Sequence, residues 1–313
     1  MMHTILGAGG AIGMPLAKIL KQVYGKPIRL VGRKPIQVNA DDELFVADLL
    51  DAGGVQQAVA GSEVAYLCAG LPYNASLWAR DWPRLMRNVI DACREHGTKL
   101  VFVDNVYAYA PEALLHMTET AAIGPVSKKG VVRKQVLDML QEAVAQYDLE
   151  VLIARSADFY GPDNRNSILL ELVYNQLKKG KRALWQCDVN RIHSFTYTPD
   201  AAKAIALLGN SKDAFGRVWH LPTSHEKLTG ADWVGLFAAA LGVRPRVWKL
   251  KNWLLRLAGL AVPLMRDIAE MSYQYQYDYF FDSSEIEQVF GLTATPVQQA
   301  IAEIVALDHK KGG

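Results

Sequence analysis

The 313-residue sequence has little cysteine, no excess of either charge and no long apolar run. Its three cysteines, Cys68, Cys93 and Cys187, form no CxxC pair. An odd, sparse set of this kind excludes a disulfide scaffold and predicts free thiols in a reducing compartment. Lys and Arg number 34 against 32 Asp and Glu. That balance argues against binding nucleic acid, or an acidic membrane, by bulk electrostatics. The longest apolar stretch, Trp253 to Met265, is broken by Arg256 and Pro263 and falls short of the roughly 20 residues a span requires. The N-terminus runs from Met1 straight into a strand-like segment, with no basic stretch leading into an apolar one as a secretory signal has. These absences predict a cytoplasmic protein with no nucleic-acid or membrane partner.

Half the residues are hydrophobic, enough for a sizeable core. Short β-rich runs alternate with helical patterns through the first half. The strand candidates are 4–6, 28–31, 44–46, 64–68, 100–103 and 151–154; the helix candidates are 14–23, 54–60, 82–96 and 129–146. The strands are near-continuous apolar runs, as expected where helices cover both faces of a sheet. In the third helix Leu85, Met86, Val89, Ile90 and Cys93 recur at helical spacing and Gly97 offers a stop. Alternating β and α elements imply an α/β fold, a Rossmann-type doubly wound parallel sheet. After Gly161-Pro162 the rhythm changes, which predicts a smaller C-terminal α+β substrate lobe. The expected division is 1–162 with 191–216 as the dinucleotide-binding domain, and 163–190 with 217–313 as the substrate lobe.

Gly7-Ala8-Gly9-Gly10-Ala11-Ile12-Gly13 follows the first strand and opens the first helix. As GxGxxG it fails, because position 12 is Ile; as GxxGxxG it fits through Gly7, Gly10 and Gly13. One glycine serves the tight turn, another lets backbone N–H groups approach a pyrophosphate, and the last permits close helix–strand packing. The helix N-terminus, with Ala11 and Ile12, adds unpaired N–H groups and the positive dipole end. An NAD binder usually carries an acid after the second strand. Here that place reads Val31-Gly32-Arg33-Lys34. Two cations suit the 2′-phosphate of NADP, with NAD as the competing nucleotide, and Arg33 can bond it in bidentate fashion.

Further motifs now fall in order. The sequence resembles an extended short-chain dehydrogenase/reductase, in the NAD-dependent epimerase/dehydratase family. The resemblance is carried by Asp48-Leu49, Cys68-Ala69-Gly70, Arg155 with Phe159-Tyr160-Gly161-Pro162, Tyr197-Thr198-Pro199-Asp200-Ala201-Ala202, Asp282-Ser283-Ser284, and Gly291 through Pro296. It implies that Asp48 contacts the adenine amino group, with Leu49 beside it. It implies that Cys68, Ala69 and Gly70 lie by the adenine ribose, and that Tyr160 belongs to the cofactor site. The family's catalytic Tyr-x-x-x-Lys is missing. Aligning Ser127-Lys128 places Gly124 where the tyrosine belongs, and using Lys129 places Pro125 there. Asn105 stands where the family has its Ser or Thr.

The chemistry left open is hydride transfer to or from a small hydroxyl or carbonyl compound. Lys128 is a candidate to hold the nicotinamide ribose, Tyr109 to donate the proton, ahead of Tyr107 and Tyr160, and Asn105 to orient a carbonyl or water. Two other readings stand: a nucleotide-sugar epimerase or dehydratase with retained cofactor, and a non-catalytic NADP-binding sensor. Asp104 and Asp158 read as an acid/base pair or, being near strand ends, as caps of turns or helices, the reading preferred. His193, His220 and His225 lack metal-site spacing. The aromatic and leucine-rich run from Trp248 to Phe281 reads as a pocket lining, a lobe core or a dimer face. Helices 82–96 and 129–146 are the candidates for a homodimer bundle.

Overall fold

The computed structural model describes residues 1–312, the side chains at 263, 264, 311 and 312 excepted. In chain order its elements are β1 (Met2–Leu6), α1 (Gly13–Gln22), β2 (Ile28–Gly32), β3 (Glu43–Val46), α2 (Ala52–Val59), β4 (Ser62–Leu67), α3 (Ala75–His96), β5 (Lys99–Asn105), α4 (Lys128–Tyr147), β6 (Val151–Ser156) and β7 (Asp158–Tyr160). There follow α5 (Asn175–Lys178), β8 (Ala183–Gln186), β9 (Phe195–Tyr197), α6 (Thr198–Gly209), β10 (Val218–His220), α7 (Gly230–Ala240), β11 (Val247–Leu250), α8 (Asn252–Ala258), α9 (Pro263–Glu270), α10 (Ser284–Phe290) and α11 (Val297–Gly312).

The chain divides into two compact units. The first comprises Met1–Ala108, Lys128–Arg155 and Ala201–Leu221. It holds a seven-stranded sheet in the order β10-β6-β5-β4-β1-β2-β3. The β1–β2, β1–β4, β2–β3, β4–β5 and β6–β10 pairs are parallel. This is the doubly wound Rossmann-type sheet expected from the alternating pattern. Its order reverses between β1 and β4, and at such a switch point the chain ends diverge and leave a crevice at the carboxyl edge. One core face packs α3 and α4 on the sheet through Trp82, Met86, Val89, Phe102, Val136 and Leu140.

The second unit comprises Tyr109–Ser127, Ser156–Asp200 and the chain from Pro222 on. It carries two parallel two-stranded pairs, β7 with β9 and β8 with β11. Its core is aromatic: Tyr160, Trp185, Phe195, Trp233 and Phe237 are all buried. The division departs from the sequence-based one in two ways. Residues 217–221 join the first unit because β10 is the seventh strand, paired to β6. Segments 109–127, 156–162 and 191–200 join the second, β7 and β9 being ladder partners there.

Helix α3 also starts earlier than its pattern suggests. Pro83 resembles a first-turn proline, yet the true cap is Asn74, whose Oδ1 accepts the Leu77 N–H at 2.9 Å. Pro83 therefore lies inside the helix, and Gly97, at φ 60°, ends it as expected.

Candidate functional site

The β1–α1 turn sits at the switch point. Gly7 has φ +86°, and a Cβ there would stand 2.6 Å from the Ala69 Cα. Ala69 follows β4, which is locked beside β1 by the Cys68 N–H donating to the Leu6 carbonyl at 2.9 Å. A Cβ on Gly13 would stand 2.6 Å from the Ala8 carbonyl oxygen. Gly7 and Gly13 are thus close-approach positions within the protein. Gly10 differs, since a Cβ there would meet nothing within 4 Å. Ile12 is buried and is the N-cap of α1, with no side-chain cap and no acid in the first turn. The open space at Gly10 and the uncapped positive helix end suit an anionic group.

Arg33 and Lys34 follow β2 and are exposed. Neither makes an ion pair or side-chain hydrogen bond among the described residues. The acids that come later are already engaged. Asp41 pairs with Lys21, Asp42 accepts the Asn39 N–H at 2.6 Å, and Glu43 binds Arg29 at 2.8 Å. Asp48 is exposed and accepts the Leu50 N–H at 3.0 Å. Leu49 is buried, and its carbonyl accepts from Asn88 Nδ2 at 3.0 Å. Burial pushes the Cys68 thiol up to about 12, so it stays protonated and is a poor nucleophile. Gly70 is exposed.

At the ends of β5 and β6 the structure reveals a group absent from the sequence reading. Asp104 is not a cap. It is buried between two guanidiniums, accepting from Arg133 Nε at 3.0 Å and from Arg155 Nε at 2.9 Å. Arg133 also lies over Trp82 and Phe102, at 4.5 and 4.7 Å from the ring centres. Burial pushes the Asp104 carboxyl up, but the Arg133 and Arg155 charges outweigh it and hold it below its ordinary value. Neighbouring Asn105 accepts the Tyr107 N–H at 3.0 Å through Oδ1, an Asx turn. Lys128, the first residue of α4, is exposed. Lys129 is buried instead, with Nζ 4.5 Å from the Tyr73 ring centre. Lys129 and Arg133 share the inward face because they are four residues apart.

The remaining candidates lie in the second unit. Tyr109 is buried and its hydroxyl donates to the Thr118 carbonyl at 2.8 Å. Tyr160 packs 5.3 Å from both Tyr197 and Trp233, ring centre to ring centre. Its ring is inside the aromatic core, and burial raises its phenol. Asp158 is 3.3 Å from His193 Nε2, a side-chain contact and not a cap. The C-terminal aromatic run divides: Tyr275, Tyr279 and Phe281 are buried, while Trp248, Trp253, Leu257 and Leu260 face outward. The unit also contains a cavity of about 440 Å³ whose lining includes Asn252, Arg256, Arg266, Glu270, Ser272 and Tyr273. Two arginines against one glutamate leave the lining net positive, which suits a small anionic molecule.

No individually curated protein sequence matches the chain. Solved structures do match its fold. UDP-N-acetylglucosamine 4-epimerase from Bacillus cereus superposes with a TM-score of 0.78 at 17% identity, over 99% of this chain and 96% of that one. UDP-glucose 4-epimerase from Thermus thermophilus, in complex with NAD, gives 0.79 at 18% identity over 100% of each chain. The dTDP-glucose 4,6-dehydratase from Streptomyces venezuelae, with NAD and TYD bound, gives 0.81 at 17%, over 99% and 97%. At these identities the likeness speaks to fold. The sequence itself matches one family of enzymes over residues 3–220 of its 313: the chain belongs to the NAD dependent epimerase/dehydratase family.

Proposed function

We propose that the protein is an NADP(H)-dependent oxidoreductase or epimerase-like enzyme acting on a small hydroxyl or carbonyl compound. The observation that carries this reading is the pair of features at one sheet edge: an open, uncapped glycine turn after β1 and, among the described residues, unpaired cations after β2. In this reading the N–H groups from Gly10 through Gly13 hold the pyrophosphate. Arg33 and Lys34 hold the 2′-phosphate, since a guanidinium can form two parallel bonds to it. Asp48 accepts from the adenine amino group beside Leu49, and Cys68, Ala69 and Gly70 back the adenine ribose. Lys128, exposed at the start of α4, is the proposed donor to the nicotinamide ribose, and Asn105 the residue that orients a carbonyl or a water. The nicotinamide, when bound, supplies or accepts the hydride. Tyr160 supports the second unit from within its core, and Tyr109 is the proposed proton donor. Family membership favours an enzyme over a sensor, and small-molecule turnover is the expected activity.

Titrating the purified protein with NADPH and NADH tests the nucleotide. NADPH should bind at least about tenfold more tightly, the scale of a charge-assisted contact. Arg33→Ala should erase the difference. Equal affinities in the unchanged protein would sink the Arg33 assignment. The proton donor has its own test. Tyr109→Phe should abolish NADPH turnover across a panel of carbonyl compounds while costing only about 1 kcal/mol of stability, one hydrogen bond. Undiminished turnover would show that Tyr109 merely holds Thr118.

A further inference from the structure

The overall charge balance conceals a local segregation. Between Arg244 and Arg266 the sequence has six cations, Arg244, Arg246, Lys249, Lys251, Arg256 and Arg266, and no acid. Several apolar side chains of the same stretch face outward. Trp248 is 61% exposed, Trp253 60%, Leu257 59% and Leu260 85%. Leu254 and Val262 are exposed as well, while Leu255 is the buried residue of α8. A surface helix normally buries its apolar stripe and shows its polar face. Here the exposed residues of α8 and of the turn after it are mostly apolar, with Arg256 among them and the other cations before and after in the sequence.

We propose that the β11–α8 segment and the turn leading to α9 dock on an anionic phospholipid surface. Tryptophan and leucine suit the boundary between headgroups and acyl chains. Lys and Arg reach back from that depth to lipid phosphates on long apolar stems, and each adds attraction to an anionic leaflet. The acids nearby are few: Asp188 stands 3.8 Å from Lys249, Asp267, next to Arg266, is buried, and Glu270 lines the cavity shared by Arg256 and Arg266. A second copy of the chain fits less well, because self-association through this face would bring two cationic rims together. The contact is superficial. Among the described residues no helix is long and apolar enough to cross a membrane.

The test is flotation of the full chain with extruded vesicles of phosphatidylcholine alone and of equimolar phosphatidylcholine and phosphatidylglycerol. The protein should float with the anionic vesicles only, release at high salt, and show a blue shift of tryptophan emission on binding. Trp253→Ser combined with Leu260→Asp alters two well-exposed positions, and an unchanged melting temperature would show that the fold is kept. This variant should partition about tenfold or more weakly. Absence of flotation at low salt would overturn the proposal, as would equal flotation by the variant. So would a dimer that forms without lipid and is lost in the variant, which would assign the face to a second copy.

Discussion

Replacing Asp104 by Ala should destabilise the protein by about 3–5 kcal/mol, the scale of a broken buried ion pair. The side chains of Arg133 and Arg155 are each 3% exposed, and that of Asp104 is fully buried. Without the carboxylate, the two guanidiniums lose the buried counter-charge they share. Arg133 cannot easily leave, since it also lies over Trp82 and Phe102. Asp104→Asn should cost a similar amount, because it keeps the shape and loses the charge. The exposed Lys134–Asp138 pair on α4 is the control, and Lys134→Ala should change stability by less than about 0.5 kcal/mol. Urea unfolding followed by circular dichroism measures all three. A cost below about 1 kcal/mol for Asp104→Ala would mean that water or another group takes over the carboxylate's place. The same triad sets a pH dependence. The folded Asp104 carboxyl lies below its ordinary value of 3.8. Its contribution is therefore complete above about pH 4 and lost as pH falls through the lower, folded value. The Asp104 variants should lack this component of acid unfolding.

The triad also shows where sequence reading stops. The strands are legible because runs such as Leu100 to Val103 are apolar on both sides, and the glycine turn because its spacing follows a strand. Asp104 and Arg155, by contrast, are separated by 51 positions, and Asp104 and Arg133 by 29. Nothing local marks the three as partners; only the carboxyl edge of the sheet and the inward face of α4 bring them together. The α4 lysines show the same limit at shorter range. Lys128 and Lys129 are adjacent and chemically identical, yet a step of about 100° around the helix leaves one exposed and the other buried over Tyr73. Helix α3 misleads because Pro83 looks like a beginning, when Asn74 supplies the side-chain cap well before it. Strand β10 falls in the other unit from the one its position suggests because a three-residue strand carries almost no pattern. The exposed hydrophobic segment near α8 is hidden for a different reason. Charge balance over the whole chain is blind to six cations gathered beside two outward tryptophans.

A pair of glycine substitutions should separate the fold from the ligand. Gly7→Ala should destabilise the protein by about 2–5 kcal/mol, combining a left-handed backbone that an L-residue resists with overpacking. The added methyl would sit 2.6 Å from the Ala69 Cα. That neighbour is backbone, held by the Cys68 N–H bond to Leu6, so relief requires β1 and β4 to part where the sheet order reverses. Gly10→Ala presents the opposite case. Its methyl meets nothing within 4 Å, and unfolding free energy should change by less than about 1 kcal/mol, the scale of a glycine-to-alanine change at an unstrained turn position. Yet if backbone N–H groups at this turn receive a pyrophosphate, a methyl at position 10 stands where the anion must approach. NADPH affinity should then fall by about tenfold or more while the fold stays intact. Calorimetric titration beside thermal unfolding reads both quantities. A Gly10→Ala protein that keeps both its stability and its NADPH affinity would move the pyrophosphate away from Gly10, leaving the glycine turn to packing alone.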